Sequence, residues 1–248
     1  MFENELIYFF RIFISFAGII LVHYIGGLLV LKKQVKVNYT RKMGHFTIVF
    51  VPFFVGYILP CRETPLLSII AILFSISSLI IYIKPIRERS SFISTLFSSF
   101  DRPEDRPHTL FWVWTQICAI YLILIPMFLY FSSIEKVELL FIPMFITGFG
   151  DGLAEPIGVR FGKHKYKVYA LFSKKKYVRS LEGSACVFIA SLISTMICFP
   201  FFSSVQFIVA LIAIPIIMTL AEAFSPHTWD NPFLYLVNGL LIVGILLI

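Results

Sequence analysis

Eight stretches of the chain are dominated by apolar side chains: residues 6–31, 45–59, 66–83, 110–131, 137–149, 181–202, 205–223 and 233–248. A helix needs ~20 mostly apolar residues to cross the hydrocarbon of a bilayer, and most of these runs approach that length. The pattern predicts an all-α fold, a polytopic helical membrane bundle of seven to eight transmembrane helices. The second, fifth and eighth runs are short, which leaves seven spans open. No ten-residue apolar/polar alternation repeats as a membrane barrel would require, so strands are not expected. Pro156 lies where the fifth run gives way to glycines, and it predicts a helix break near Asp151 with a fresh start around Glu155.

Composition narrows the class. Of 248 residues, 58% are hydrophobic and only 14% charged, with a mean hydropathy of +0.89. Soluble domains carry about 25% charged residues. A chain this apolar cannot cover its core with polar surface, which excludes a soluble enzyme. One integral membrane domain spanning 1–248 is expected, with no room for a separate soluble one. The opening MFENELIYFF is acidic rather than basic; it lacks a signal-peptide start, and the first span is expected to be retained. Cys118, Cys186 and Cys198 lie in apolar runs and Cys61 at a span end, without metal-ligand spacing, which reads as structural thiols. No internal repeat is evident, which disfavours an inverted-repeat transporter.

Charge then orients the runs. The first, third and fifth connections hold 18 of the 21 lysines and arginines. The positive-inside rule puts those connections in the cytoplasm and the N-terminus outside. Five polar clusters then fall at cytoplasmic ends of spans: RKMGH (41–45), FDRPEDRPHT (100–109), GDGLAEPIG (150–158), KKKYVRSLEG (174–183) and EAFSPHTWDN (222–231). Such sorting of carboxylates and bases predicts a site facing cytoplasmic solutes. The net charge of +7 suits anionic lipid heads or nucleotides. Nucleic acid is not an expected partner, because the charge is spread over three connections.

The strongest chemistry lies around residue 151. Asp151, Ala154, Gly158 and Gly162 follow one another at offsets that keep them on one helical face. Small residues admit a close backbone or a flat ligand, and glycines near a helix end leave N–H groups for phosphate. Helix packing beside a solvated Asp151 is the plainer alternative. Asp151 and Glu155 offer the hard oxygen ligands that suit Mg²⁺ between nucleotide phosphates. The lysine-rich stretch from Lys163 to Arg179, Lys174 included, offers point charges for a triphosphate, and Arg179 a bidentate fork; topology and lipid-head contacts explain the same lysines. Glu182 and Glu222 are carboxylates at span ends, expensive enough to be functional candidates. Arg41, Lys42 and His45 share the start of the second span, where a histidine serves as proton acceptor or phosphate ligand, or simply as a hydrogen-bonded group. FDRPEDRPHT reads as charge pairing in a stiff loop or as a gate over the site. Asp230 and Asn231 precede Pro232, as an Asx-turn would.

Taken together these blocks resemble the CTP-dependent polyprenol and lipid kinases, the group of dolichol kinase, phytol kinase and yeast-type diacylglycerol kinase. That family's D-x-x-A-x-x-x-G-x-x-x-G is matched at Asp151, Ala154, Gly158 and Gly162. Its Lys-Ser/Thr-x-Glu-Gly element is matched at Arg179-Ser180-Leu181-Glu182-Gly183, with Arg179 in place of the usual lysine. Its Arg-Lys-x-x-His is matched by Arg41, Lys42 and His45, and its closing segment by Glu222, Asp230 and Asn231. The resemblance implies a nucleotide site of Ala154, Gly158, Gly162, Lys163, Lys174 and Arg179. It implies catalytic roles for Asp151, His45 and Glu182, Mg²⁺ on Asp151 and Glu155, and contacts from Arg41, Lys42, Glu222, Asp230 and Asn231 to phosphate or acceptor. The implied reaction moves the γ-phosphoryl group of CTP to a membrane lipid alcohol. The glycine-rich, two-aspartate signature of the CDP-lipid synthases is absent, which favours phosphoryl over cytidylyl transfer. A cytidylyltransferase acting on a lipid phosphate, and a lipid-binding or transport protein without turnover, are the alternatives. A homo-oligomer is compatible with the sequence, which does not fix the oligomeric state.

Overall fold

The structure, a computed structural model, describes residues 2–170, 173–227 and 229–248; the side chains of residues 2, 170 and 173–175 lie outside this description, and with them the side chain of Lys174. The protein is all-α to a first approximation, with 81% of it helical. The chain divides within its sixth helix into two compact units, Met1–Trp114 and Thr115–Ile248.

In the first unit α1 (Phe2–Lys33) is followed by α2 (Val37–Ile58), α3 (Pro65–Ser78), α4 (Lys84–Arg87) and α5 (Ser91–Ser98). Glu3 and Glu5 open α1, and Lys32 and Lys33 close it, each charge complementing the helix dipole at its end. Thr64 caps α3 by accepting from the Leu67 N–H, with Pro65 at the first helical position, where its missing donor costs nothing. Arg11, deep enough in α1 to need partners, donates to Cys61 Sγ at 2.8 Å and Glu63 Oε1 at 3.1 Å.

The second unit begins in α6 (Thr109–Ser133). It continues through α7 (Phe141–Phe145), a π-helical turn Ile146–Asp151, α8 (Gly152–Phe161), strands β1 (Lys165–Ala170) and β2 (Ser173–Ser180), α9 (Leu181–Ile197), α10 (Ser204–Phe224) and α11 (Asp230–Leu246). Its core joins Ile142, Ile146, Val187, Ile214, Met218, Leu234 and Ile242 from α7, the π turn and α9–α11. A capping box of Ser203 and Gln206 starts α10.

Each of the eight apolar runs lies on a helix. Five are long and apolar enough to cross a membrane: Glu3–Lys33, Pro65–Tyr82, Thr109–Ser133, Val137–Phe161 and Ser204–Phe224. Leu181–Ile197 and Asp230–Leu246 are shorter apolar helices. The long α2 is outside the five, since its first turns carry Arg41, Lys42 and His45. Within Val137–Phe161, 56% of the most apolar 18-residue stretch is buried, against 6–28% for the other four, so the helix bearing Asp151 is the most enclosed of these five.

Two expectations are corrected. The chain does not break near Asp151: that residue keeps helical angles (φ −67°, ψ −35°). A π turn leads directly into α8, which carries Pro156 internally. Strands do form, as an antiparallel pair between α8 and α9 with Tyr166 opposite Arg179 and Val168 opposite Tyr177. Alternation in KYKVY and KYVR is too short to suggest a barrel, but it suffices for a hairpin.

Candidate active site

The second unit gathers the carboxylates of three separate segments around one guanidinium. Arg179 lies near the end of β2, on the strand face opposite Val178, and its side chain is 11% exposed. Glu222 lies in the last turn of α10 and Asp230 is the first residue of α11, so a single short connection brings both to the same end of the unit. Arg179 Nη1 is 3.1 Å from Glu222 Oε1, and Nη2 is 3.8 Å from Asp230 Oδ2. Nη1 also donates to the Glu222 backbone carbonyl and to Ser225 Oγ at 3.0 Å. The guanidinium therefore sits on the C-terminal carbonyls of α10, where the helix dipole favours a cation.

A relay of hydroxyls completes the cluster. Ser184 Oγ donates to Glu222 Oε2 at 2.8 Å, and Tyr166 OH lies 2.7 Å from Ser184 Oγ. With the serine proton committed to the carboxylate, the phenol is the donor to Ser184. Burial, reinforced by the negative charge of Glu222, holds the Tyr166 phenol above its ordinary pKa. Burial alone would lower the Arg179 pKa, but the carboxylates of Glu222, Asp230 and Asp151 outweigh it and hold the guanidinium above its usual value. Asp151 is thus within electrostatic reach of the cluster, and it is buried, 4% exposed, at the end of the π turn.

The face of Asp151, Ala154, Gly158 and Gly162 packs on the start of α9. A Cβ on Gly162 would lie 2.3 Å from the Gly158 carbonyl oxygen and 2.8 Å from Ser180 Cβ; one on Gly183 would lie 2.6 Å from the Ala154 carbonyl oxygen. Ser180 caps α9 by accepting from the Gly183 N–H at 3.1 Å. The space left by the small residues on this face is taken by Ser180 and Gly183, so Ala154, Gly158 and Gly162 bring α8 and α9 together. Glu182 is engaged at the hairpin base, 2.9 Å from His164 Nδ1. Lys163 is exposed, and Glu155 is half-buried in the first turn of α8. Asn231 is buried, and its Oδ1 has no hydrogen-bond partner.

Arg41, Lys42 and His45 belong to the first unit. Lys42 is buried and the other two half-buried. Behind them Thr40 Oγ1 donates to the Ser99 carbonyl at 2.6 Å, while Ser99 Oγ lies 2.7 Å from His23 Nδ1. In FDRPEDRPHT, Arg102 pairs with Asp105 at 2.7 Å, Arg106 with Asp101 at 2.8 Å, and Thr109 donates to Asp101 at 2.7 Å. Charge pairing thus accounts for most of that loop.

Tyr166, Ser184 and Ser225 were not anticipated from the sequence. The available signal was the period-two alternation of 165–169 and 176–179, which puts Tyr166 and Arg179 on one face. Among the described residues no group of three or more His, Cys, Asp or Glu stands close enough to hold a metal ion. Compared with protein-family models, curated proteins and solved structures, the chain has no match.

Proposed function

We propose that the protein is an integral membrane kinase that transfers the γ-phosphoryl group of a nucleoside triphosphate, CTP, to the hydroxyl of a polyprenol- or phytol-type alcohol. The observation that carries this reading is the buried cluster of Asp151, Glu222 and Asp230 around Arg179, at one end of an apolar helical unit. Buried carboxylates at the margin of membrane helices are expensive and mark functional sites. In the fuller reading seven to eight of the helices span the bilayer, and the basic connections and the site face the cytoplasm.

Phosphoryl transfer needs positioning and charge neutralisation more than covalent chemistry from the protein. The alcohol oxygen attacks the γ-phosphorus, the bond from that phosphorus to the β-phosphate oxygen breaks, and the alcohol proton passes to a carboxylate of the cluster. The products are a lipid monophosphate and CDP. Mg²⁺ in nucleotide sites is commonly held by one or two carboxylates together with the substrate phosphates, and the pair Asp151 and Glu155 fits that donor set. When bound it would neutralise phosphate charge. Lys163 and Lys174 supply point charges to the phosphates. Arg179 is anchored through Nη1 to α10, and its 3.8 Å contact to Asp230, longer than a hydrogen bond, is the side that can be exchanged for a phosphate oxygen. Ala154, Gly158 and Gly162 act as positioning residues that fix Asp151 against α9. In this reading Glu182, through His164, sets the base of the hairpin, while Asn231 meets the acceptor or the γ-phosphate.

The test is product analysis in nanodiscs with CTP labelled at the α- or γ-position and a panel of polyprenols, phytol, farnesol, diacylglycerol and phosphatidic acid. Label moving from the γ-position into lipid, with CDP released, is expected. Label moving from the α-position with release of pyrophosphate would make the protein a cytidylyltransferase. No transfer with any nucleotide would leave a lipid-binding or transport protein.

A further inference from the structure

Between Glu155 and Glu182 the chain carries eight lysines and arginines and no acidic residue, and the hairpin sorts this stretch into two unlike faces. The inner face is occupied. Val168 is buried, Tyr166 and Arg179 join the carboxylate cluster, and the Tyr177 ring stacks on His227 at 3.6 Å with the planes 12° apart. The His227 N–H also donates to the Tyr169 carbonyl at 2.9 Å, which pins β1 to the connection between α10 and α11. The outer face carries Lys165, Lys167 and Tyr169 on β1 and Lys176 and Val178 on β2, all exposed.

We propose that this outer face docks on the anionic headgroup surface of the bilayer that α8 and α9 enter. Phe161 ends α8 and Leu181 begins α9, and both are largely exposed apolar side chains; they set the hydrocarbon boundary at the base of the hairpin. The outer face starts within four residues of that boundary. Its charges are cationic only, complementary to anionic lipid. Lys176 lies over the Tyr169 ring at 5.0 Å, and Val178, 60% exposed, sits among the lysines. A soluble triphosphate accounts for the lysines but not for an exposed isopropyl group and phenol in the same row. An interface that takes ammonium heads, aliphatic stems and an aromatic ring accounts for all of them. The inference goes beyond the kinase reading and does not rest on it, since the proposed phosphoryl transfer uses Lys163, Lys174 and Arg179 and none of Lys165, Lys167 and Lys176.

The experiment places a reporter on the outer face with Tyr169→Trp. Emission of the variant, less that of the parent, is compared in nanodiscs of phosphatidylcholine alone and of phosphatidylcholine with phosphatidylglycerol. Docking predicts a blue shift and quenching by brominated lipid in the anionic nanodiscs, reversed by high salt. Lys165→Gln, Lys167→Gln and Lys176→Gln should each lower the docking equilibrium constant roughly fivefold, read from a salt titration of the shift. Identical emission in neutral and anionic nanodiscs would overturn the proposal. So would loss of the shift on adding CTP, which would assign these lysines to free phosphate. Should the glutamine variants fail to fold, the lipid and salt comparisons on the lysine-intact protein still decide.

Discussion

Replacing Arg179 with methionine removes the cation paired with Glu222 while keeping most of the side chain's volume. The guanidinium and carboxylate are 11% and 5% exposed and 3.1 Å apart. Water therefore cannot replace the lost partner. Stranding one member of a buried pair costs about 3–5 kcal/mol. Loss of the bonds to Ser225 and to the terminal carbonyl of α10 falls within that range, because the same group makes them. For a chain of this size 1 kcal/mol moves the midpoint by about 2–4 °C, so Arg179→Met should lower the unfolding midpoint by about 10 °C. Arg179→Lys keeps the charge but cannot serve the carboxylate, the hydroxyl and the carbonyl at once, and should lose about 1–2 kcal/mol. The double variant Arg179→Met/Glu222→Leu should recover part of the loss, since it no longer strands the Glu222 carboxylate, while Asp230 still loses its cation and Ser184 its acceptor. Thermal unfolding in one detergent or nanodisc, followed by intrinsic fluorescence, reads all four proteins. An Arg179→Met midpoint equal to the parent's, or a double variant no better than the single, would refute the reasoning.

Further outcomes follow from neighbouring contacts. Gly183→Ala puts a Cβ 2.6 Å from the Ala154 carbonyl oxygen, a backbone atom that cannot swing away, and should cost about 1–3 kcal/mol, read as a lower midpoint. Tyr166→Phe should flatten the alkaline limb of the stability curve. The phenol pKa is raised in the folded protein, so its contribution is intact below the unfolded value of about 10 and falls as pH rises from there towards the folded value. A midpoint-against-pH series on both proteins tests this, and parallel alkaline limbs would contradict it. Glu182→Gln should weaken the tie between His164 and α9 and speed amide exchange at the hairpin base, with little effect on exchange in α10; unchanged exchange at residues 163–166 would argue against it.

The helices were legible because their signal is local. Each apolar run, such as 205–223, is long enough to fix its own state, and every one lies on a helix. Membership of the Arg179 cluster was only half legible. Arg179, Glu222 and Asp230 stood out as charges beside apolar runs. Tyr166 and Ser184 did not, because their role depends on a hairpin register that brings distant strands together. The short alternation around Tyr166 was hidden by the lysines interleaved with it. Asp151 was marked by its glycines, yet the same spacing fits a ligand cradle and close helix packing equally well in sequence. Only the positions of Ser180 and Gly183 separate the two. The π turn before α8 left no sequence signal, since Pro156 predicts a break as readily as a widened turn.

The central claim, that Asp151 serves a phosphoryl transfer, is tested most directly by comparing the parent with Asp151→Asn under γ-labelled CTP, Mg²⁺ and the alcohol acceptor that the parent uses. The variant is nearly isosteric and leaves Arg179 its contacts to Glu222 and Asp230, so the fold should be retained, read as a cooperative unfolding transition, while lipid labelling falls roughly 100-fold or more. Equal labelling by the two proteins would contradict the claim.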